Sequence, residues 1–297
     1  MMDFLTKLME EYGIASIIHS EKLTKGQSAT TYLIKTETQR KYIVKTIKSA
    51  SKAQFEYDLL THIRRTEPSI VAEILRTTSN KPFIQIEESI YQVQLYIESH
   101  QQPIPLYKLL TAYQGLQKSM QYFQTDHINE NRFLLAKLWN QNKQLLKQYY
   151  PHIFQAFNTN IDSFIQLDEQ KDAWIHGDLG RWNVLCQLNG QALFIDFSEA
   201  RQGTKYFDLV ALFTSYLPED EILQNYVDEF FTLYEGEIDF PMFSRTIGLW
   251  YLKGILMLVQ KDAQAMKQAI DYFYHKAQQL DKLLQALCNS ECVRKDQ

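Results

Sequence analysis

The sequence predicts an α+β protein of two lobes, a small antiparallel sheet with one prominent helix followed by a larger, mainly helical body. Three observations carry this expectation. In the first hundred residues, short β-branched runs alternate with turn residues around a single stretch of helical periodicity. After Ile97, Pro103 and Pro105 punctuate the chain and long amphipathic stretches follow. Those helices are interrupted once, between Ala173 and Asp196, where two short runs flank Asn189-Gly190, a dipeptide that favours hairpins.

Taken in order, Phe4, Leu5, Leu8 and Met9 suggest an opening helix. Strands are expected at Ala15–His19, Thr31–Lys35, Tyr42–Ile47, Phe83–Glu87 and Gln92–Ile97. Between the third and fourth, Phe55, Leu59, Leu60 and Ile63 recur at helical spacing and give one apolar face to a helix over Ser49–Arg65. A boundary near residues 97–102 divides the chain into 1–98 and 99–297. Helices are expected over Leu106–Phe123, Asn131–Tyr149 and His152–Leu167, then again beyond Lys205 to about Leu287, with the final ten residues as a frayed tail.

Composition narrows the classes. With 297 residues, 45% of them hydrophobic, the chain can build a core deep enough to hold a cleft. A formal charge of -4, without any run of Lys or Arg, lacks the electrostatic footprint of a nucleic-acid binder. Cys186, Cys288 and Cys292 are odd in number and have no metal-ligand spacing, so neither a disulfide framework nor a zinc site is implied and a reducing, cytoplasmic setting is expected. The most apolar run, Gly248–Val259, is interrupted by Lys253 and falls short of the roughly 20 residues that span a bilayer, and the N-terminus carries no signal-peptide pattern. No membrane partner is expected.

The informative segment is Trp174-Ile175-His176-Gly177-Asp178-Leu179-Gly180-Arg181-Trp182-Asn183-Val184-Leu185, followed by Leu193-Phe194-Ile195-Asp196-Phe197. It places two carboxylates and a carboxamide around one hairpin. Phosphoryl transfer requires such a set: one carboxylate to orient or deprotonate an attacking hydroxyl, and oxygen ligands to hold magnesium against nucleotide phosphates. Asp178 suits the first task, Asn183 and Asp196 the second. Strands Val184–Leu188 and Gln191–Ile195, joined at Asn189-Gly190, can return Asn183 and Asp196 to the same end. Taken singly, these residues also suit turn-capping and strand-ending roles.

His176-Gly177-Asp178 with Asn183 five residues after the Asp resembles the H-G-D-x-x-x-x-N loop of the aminoglycoside phosphotransferase and choline kinase branch of the protein-kinase-like superfamily. Ile195-Asp196-Phe197 resembles that superfamily's metal-binding Asp segment. Gly177, where protein kinases have Arg, points to the small-molecule branch, and Ser198 in place of the protein-kinase Gly argues against an activation switch of that kind. The resemblance implies a two-lobed kinase-like fold, ATP and Mg2+ as cofactors, and a hydroxyl as acceptor. It implies that Lys45, on the strand Tyr42–Ile47, contacts phosphates. Glu56 lies on the apolar face of the following helix, where a carboxylate needs a buried partner, and Lys45 is the natural one. By the same resemblance Thr24–Thr31, with Gly26 and Ser28, covers phosphates through backbone N–H groups. Gln94–Glu98, with Gln94 and Tyr96, forms the hinge for adenine, and Asp208 in Tyr206-Phe207-Asp208-Leu209 braces the catalytic loop.

Between Tyr206 and Ser244 there is no Lys or Arg, whereas Asp208, Glu219, Asp220, Glu221, Asp228, Glu229, Glu235, Glu237 and Asp239 are acidic. An acidic wall would attract a small cationic acceptor such as an amino sugar, an aminoglycoside or a quaternary amine. A solvated acidic helix surface accounts for the same residues. Tyr216, Tyr226, Phe230, Tyr234 and Trp250 could offer aromatic faces to a cation, or simply fill the core. A kinase-shaped protein without turnover is the alternative reading. The joint presence of Lys45, Glu56, Asp178, Asn183 and Asp196 speaks against it, and the sequence leaves the oligomeric state open.

Overall fold

The computed structural model describes residues 2–23, 30–100, 102–127, 131–218 and 223–295. In chain order the elements are α1 (Met2–Glu11), β1 (Ile17–Leu23), β2 (Thr31–Thr36), β3 (Lys41–Ile47), α2 (Ala50–Thr66), β4 (Ile84–Ile86), β5 (Ser89–Leu95) and β6 (Ser99–His100). Next come α3 (Leu106–Gln121), α4 (Leu135–Tyr149), α5 (Pro151–Asn158), α6 (Ile161–Asp168), β7 (Ala173–Ile175), β8 (Val184–Gln187), β9 (Ala192–Phe194) and β10 (Arg201–Gly203). Four helices end the chain: α7 (Phe207–Ser215), α8 (Leu223–Leu233), α9 (Phe240–Asp262) and α10 (Lys267–Lys295). The polypeptide divides into two compact units, Met1–Asn129 with Trp182–Ala200, and Glu130–Arg181 with Arg201–Gln297.

In the first unit an antiparallel sheet runs in the order β1-β2-β3-β5-β4. Strand residues alternate between its faces, so the register Val44↔Val93 and Lys45↔Gln92 sends one pair to each side. Val44 and Val93 pack with Leu5, Leu8 and Met9 of α1, and Ile34 joins them. On the other face the Gln92 side chain donates to the Ala53 carbonyl of α2 at 2.8 Å. Helix α2 starts where Ser49 caps it, its hydroxyl accepting from Lys52 N–H, and it ends on Arg64 and Arg65, cations that suit a C-terminus. The hairpin β8–β9 belongs to this unit: β6 pairs with β8, Val71 pairs with Phe194, and Phe194 N–H donates to the Ile70 carbonyl at 2.7 Å. Its turn is three residues long. Gly190 N–H returns to the Gln187 carbonyl and Gly190 alone takes a positive φ, 76°, which a glycine accepts at no steric cost.

The second unit is helical around α9. Leu249, Leu252, Ile255, Leu256 and Val259 of α9 are buried with Leu135, Leu138, Trp139 and Leu146 of α4 and with Ile270 of α10. Among the described residues α9 is the one helix long and apolar enough to cross a membrane, and more than half of that window, 56%, is buried inside the protein. A core helix meets the same test.

Three expectations are corrected. The helix expected over His152–Leu167 is two, α5 and α6, because Asn158-Thr159-Asn160 are poor helix formers whose side chains offer the backbone competing bonds. Helix α4 begins at Leu135 and not at Asn131, whose side chain instead accepts from Phe133 N–H at 3.0 Å in a turn. Helix α10 runs to Lys295, past the expected end near Leu287.

Candidate active site

The first unit gathers the charged groups around Lys45. Strand β3 directs this side chain to the α2 face, where Nζ donates to Glu56 Oε1 at 3.4 Å and to Asp196 Oδ1 at 2.8 Å. Lys45 and Glu56 are buried, while the Asp196 side chain is 36% exposed. Burial works against the Lys45 ammonium, but Glu56 and Asp196 outweigh it and hold the pKa above the ordinary lysine value. Neighbouring α2 positions behave differently: Asp58 is exposed, and Tyr57 is buried with its hydroxyl accepting from Arg76 Nε at 2.5 Å.

Asn183 and Asp196 sit at the open end of the β8–β9 hairpin. Val184 pairs with Phe194, and Ile195 N–H donates to the Asn183 carbonyl at 3.0 Å, so the ladder brings the carboxamide residue and the carboxylate residue to one end. Asp196 adopts φ 65°, ψ 66°, a left-handed conformation that Asp tolerates better than most residues. Of the expected phosphate-covering loop, Gly26 and Ser28 lie outside the described residues. Gln94 pairs on both sides, with Ile43 and with Ile74, and Tyr96 N–H donates to the Lys41 carbonyl at 3.2 Å. A groove of about 440 Å³ bounded by Tyr57, Arg64, Ile74 and Arg76 is lined by none of Lys45, Glu56, Asn183 and Asp196.

Asp178 belongs to the second unit. The strand β7 ends at Ile175, the loop follows, and β10 pairs with β7 before the chain enters α7. The Ile175 side chain fills the space beside Gly203, where a Cβ would meet its Cδ1. Asp208, near the start of α7, then accepts from His176 N–H at 2.5 Å and from Gly177 N–H at 3.0 Å. Gly177 takes φ 81°, which only glycine adopts freely, and the fully buried His176 accepts the Asp178 N–H on Nδ1 at 3.4 Å. Burial raises the Asp208 pKa to about 6, against the lowering effect of the two amide donors and of Arg201.

Sequence reasoning missed a buried ionic cluster in the same unit. Lys253 on α9 donates to Asp168 Oδ1 at 2.6 Å, and Asp168 Oδ2 accepts from Leu135 N–H at 2.7 Å at the start of α4. Burial pulls the Lys253 pKa down to about 8, and Asp168 offsets part of that shift. Its ammonium stands 5.0 Å from the Phe207 ring centroid, and the Arg201 guanidinium stands 5.7 Å from the same ring. A lone lysine inside an apolar helix was the available signal, since a buried ammonium calls for an anion. Of the aromatic residues after Tyr206, Tyr226 and Phe230 fill the core with Phe213, and Trp250 lies edge-on to Phe207 at 5.4 Å. Asp228, Glu229, Glu235, Glu237 and Asp239 are exposed, and Asp239 caps α9 by accepting from Met242 N–H at 3.0 Å.

Solved structures with this fold include an aminoglycoside phosphotransferase from Alicyclobacillus acidocaldarius, 14% identical over 96% of this chain and 95% of that one, with a TM-score of 0.71. A spectinomycin phosphotransferase in complex with ADP and spectinomycin is 14% identical, covers 95% and 98%, and has a TM-score of 0.63. The choline kinase LicA from Streptococcus pneumoniae is 17% identical, covers 94% and 99%, and has a TM-score of 0.59. No curated protein sequence matches the chain. The sequence model of the phosphotransferase enzyme family matches residues 19–241, and the chain belongs to that family.

Proposed function

We propose that this protein transfers the γ-phosphoryl group of ATP, with Mg2+, to a hydroxyl of a small cationic molecule of the aminoglycoside, amino-sugar or choline-like class. The observation that carries the proposal is the pairing of one buried lysine, Lys45, with both Glu56 and Asp196. Glu56 is held in the apolar face of α2 and fixes the ammonium, which in turn presents its charge to phosphate oxygens. Asn183 and Asp196 offer a carboxamide and a carboxylate oxygen from one hairpin end. A pair of hard protein oxygens fits an ion that arrives with the phosphates and keeps several waters. Bound there, MgATP supplies the phosphoryl group and neutralises charge on its oxygens.

The division of labour follows the two parts of the chain, with 1–98 as the nucleotide-binding lobe and 99–297 as the catalytic and acceptor-binding lobe. Gly26 and Ser28 are assigned to phosphate contact, Gln94 and Tyr96 to the adenine hinge. Asp178 takes the proton or the hydrogen bond of the attacking hydroxyl, and Asp208 fixes the loop on which it stands. A cationic acceptor is supported by the exposed carboxylates Asp228, Glu229, Glu235 and Glu237, and by the likeness to a spectinomycin phosphotransferase and to a choline kinase.

The test is calorimetric titration with MgATP, together with ADP release across a panel of amino sugars, aminoglycosides, macrolides, choline-like amines and amino alcohols. Acceptor-stimulated, magnesium-dependent ADP release is expected. Absence of nucleotide binding at any magnesium concentration would overturn the proposal.

A further inference from the structure

We propose that the buried Lys253–Asp168 pair, acting through the ring of Phe207, positions the loop that carries Asp178. The inference rests on the phosphotransferase reading of Asp178, but not on the identity of the acceptor. Lys253 and Asp168 are 5% and 8% exposed, in a region where apolar side chains of similar volume would stabilise the fold as well or better. Stability alone therefore leaves the charges unexplained.

The location of the charges supplies the reason. Asp168 ties the end of α6 to the start of α4 through Leu135 N–H, and it holds the Lys253 ammonium of α9 at 2.6 Å. That ammonium and the Arg201 guanidinium both lie within 6 Å of the Phe207 ring, at 5.0 and 5.7 Å, and Trp250 meets the ring in an edge arrangement. Aromatic rings carry a negative face and a positive edge, so cations and edges fix ring orientation and not merely ring burial. Phe207 is the residue before Asp208, whose carboxylate takes the amides of His176 and Gly177. The next residue is Asp178. A chain of contacts thus runs from α9 and α6, through one ring, to the peptide units that set where the Asp178 carboxylate stands. Lys253, Asp168 and Phe207 are positioning residues, acting through Asp208.

The experiment compares the double variant Lys253→Met/Asp168→Asn, and separately Phe207→Leu, with the wild-type chain. In the double variant both charges are gone, while the carboxamide oxygen at position 168 can still accept from Leu135 N–H. Three quantities are read: the melting temperature, amide hydrogen exchange resolved by segment, and kcat and KM for MgATP. Expected are a melting temperature close to wild type, and exchange at the His176 and Gly177 amides accelerated about tenfold with α4 and α9 unchanged. The kcat should fall by a similar factor at constant KM. Wild-type exchange at those two amides in both variants would overturn the proposal, as would acceleration spread evenly over α4, α9 and the loop, which marks a purely structural pair. If the double variant melts early, Phe207→Leu alone decides by the same exchange readout. Should the wild-type chain prove unable to transfer phosphate, the exchange result still judges the positioning, so the two readings fail separately.

Discussion

Replacing Lys45 by Met tests the centre of the site and a definite physical argument together. The change removes the cation between Glu56, which is 2% exposed, and Asp196, whose side chain is 36% exposed. The exposed partner regains water and contributes little to the loss. Glu56 cannot, and breaking a buried pair by removing one member costs about 3 kcal/mol or more. For a chain of this size that corresponds to roughly 6 to 12 °C in melting temperature. The sign with pH is also set for the wild-type chain: because the Lys45 pKa is raised, its stabilisation is complete below the ordinary lysine range and is lost only as pH rises beyond it, so the deficit of the variant is fully present at pH 7. Adding Glu56→Leu should recover most of the lost stability, since no buried charge is then left alone, while phosphotransfer stays absent in both variants. Differential scanning calorimetry at several pH values measures the first part and ADP release the second. A Lys45→Met variant that melts within about 1 °C of wild type, or a double variant that is no better than the single, refutes the reasoning.

Other outcomes follow from the same geometry. Asp178→Ala should abolish phosphorylated product and leave MgATP binding by calorimetry nearly unchanged. Asp208 favours the folded state most when protonated: that contribution is full below its unfolded pKa, 3.8, and is lost as pH rises through about 6. It amounts to about 3 kcal/mol, so denaturant titrations of Asp208→Asn should show a flatter stability curve between about pH 4 and 6 than wild type. Gly177→Ala forces a Cβ into φ 81° and should cost about 1 to 2 kcal/mol in the same titrations, with a fall in kcat larger than any rise in KM.

How much of this was legible in the sequence depended on the range of the physics involved. Strand alternation placed Val44 and Lys45 on opposite faces, and helical periodicity put Glu56 on the inward side of α2, so two local patterns together anticipated a contact between residues 45 and 56. The hairpin could be read from Asn189-Gly190, and with it the return of Asp196 toward Asn183. Contacts with no local pattern stayed hidden. Lys253 meets Asp168 across 85 positions, and nothing in either neighbourhood names the other. The two-residue strand Ser99–His100 is too short for periodicity, yet its pairing with Cys186 and Gln187 helps hold the hairpin to the first unit. The break at Asn158-Thr159-Asn160 was visible only as weak propensity inside a stretch whose apolar spacing suggested continuity.

The left-handed backbone at Asp196 narrows which neighbouring sequences can preserve this protein. A residue there must supply an oxygen on a short side chain and also accept φ 65°, ψ 66°, a conformation that costs most L-residues about 1 to 2 kcal/mol. Glycine meets the backbone demand and brings no oxygen; Glu brings oxygens but no ease in that conformation. Only Asp and Asn satisfy both, so drift at this position has a single step available to it, and that step trades away a charge. An alanine at 196 would confound two losses, which makes Asn the substitution that separates the chemistry of the side chain from the shape of the chain beneath it.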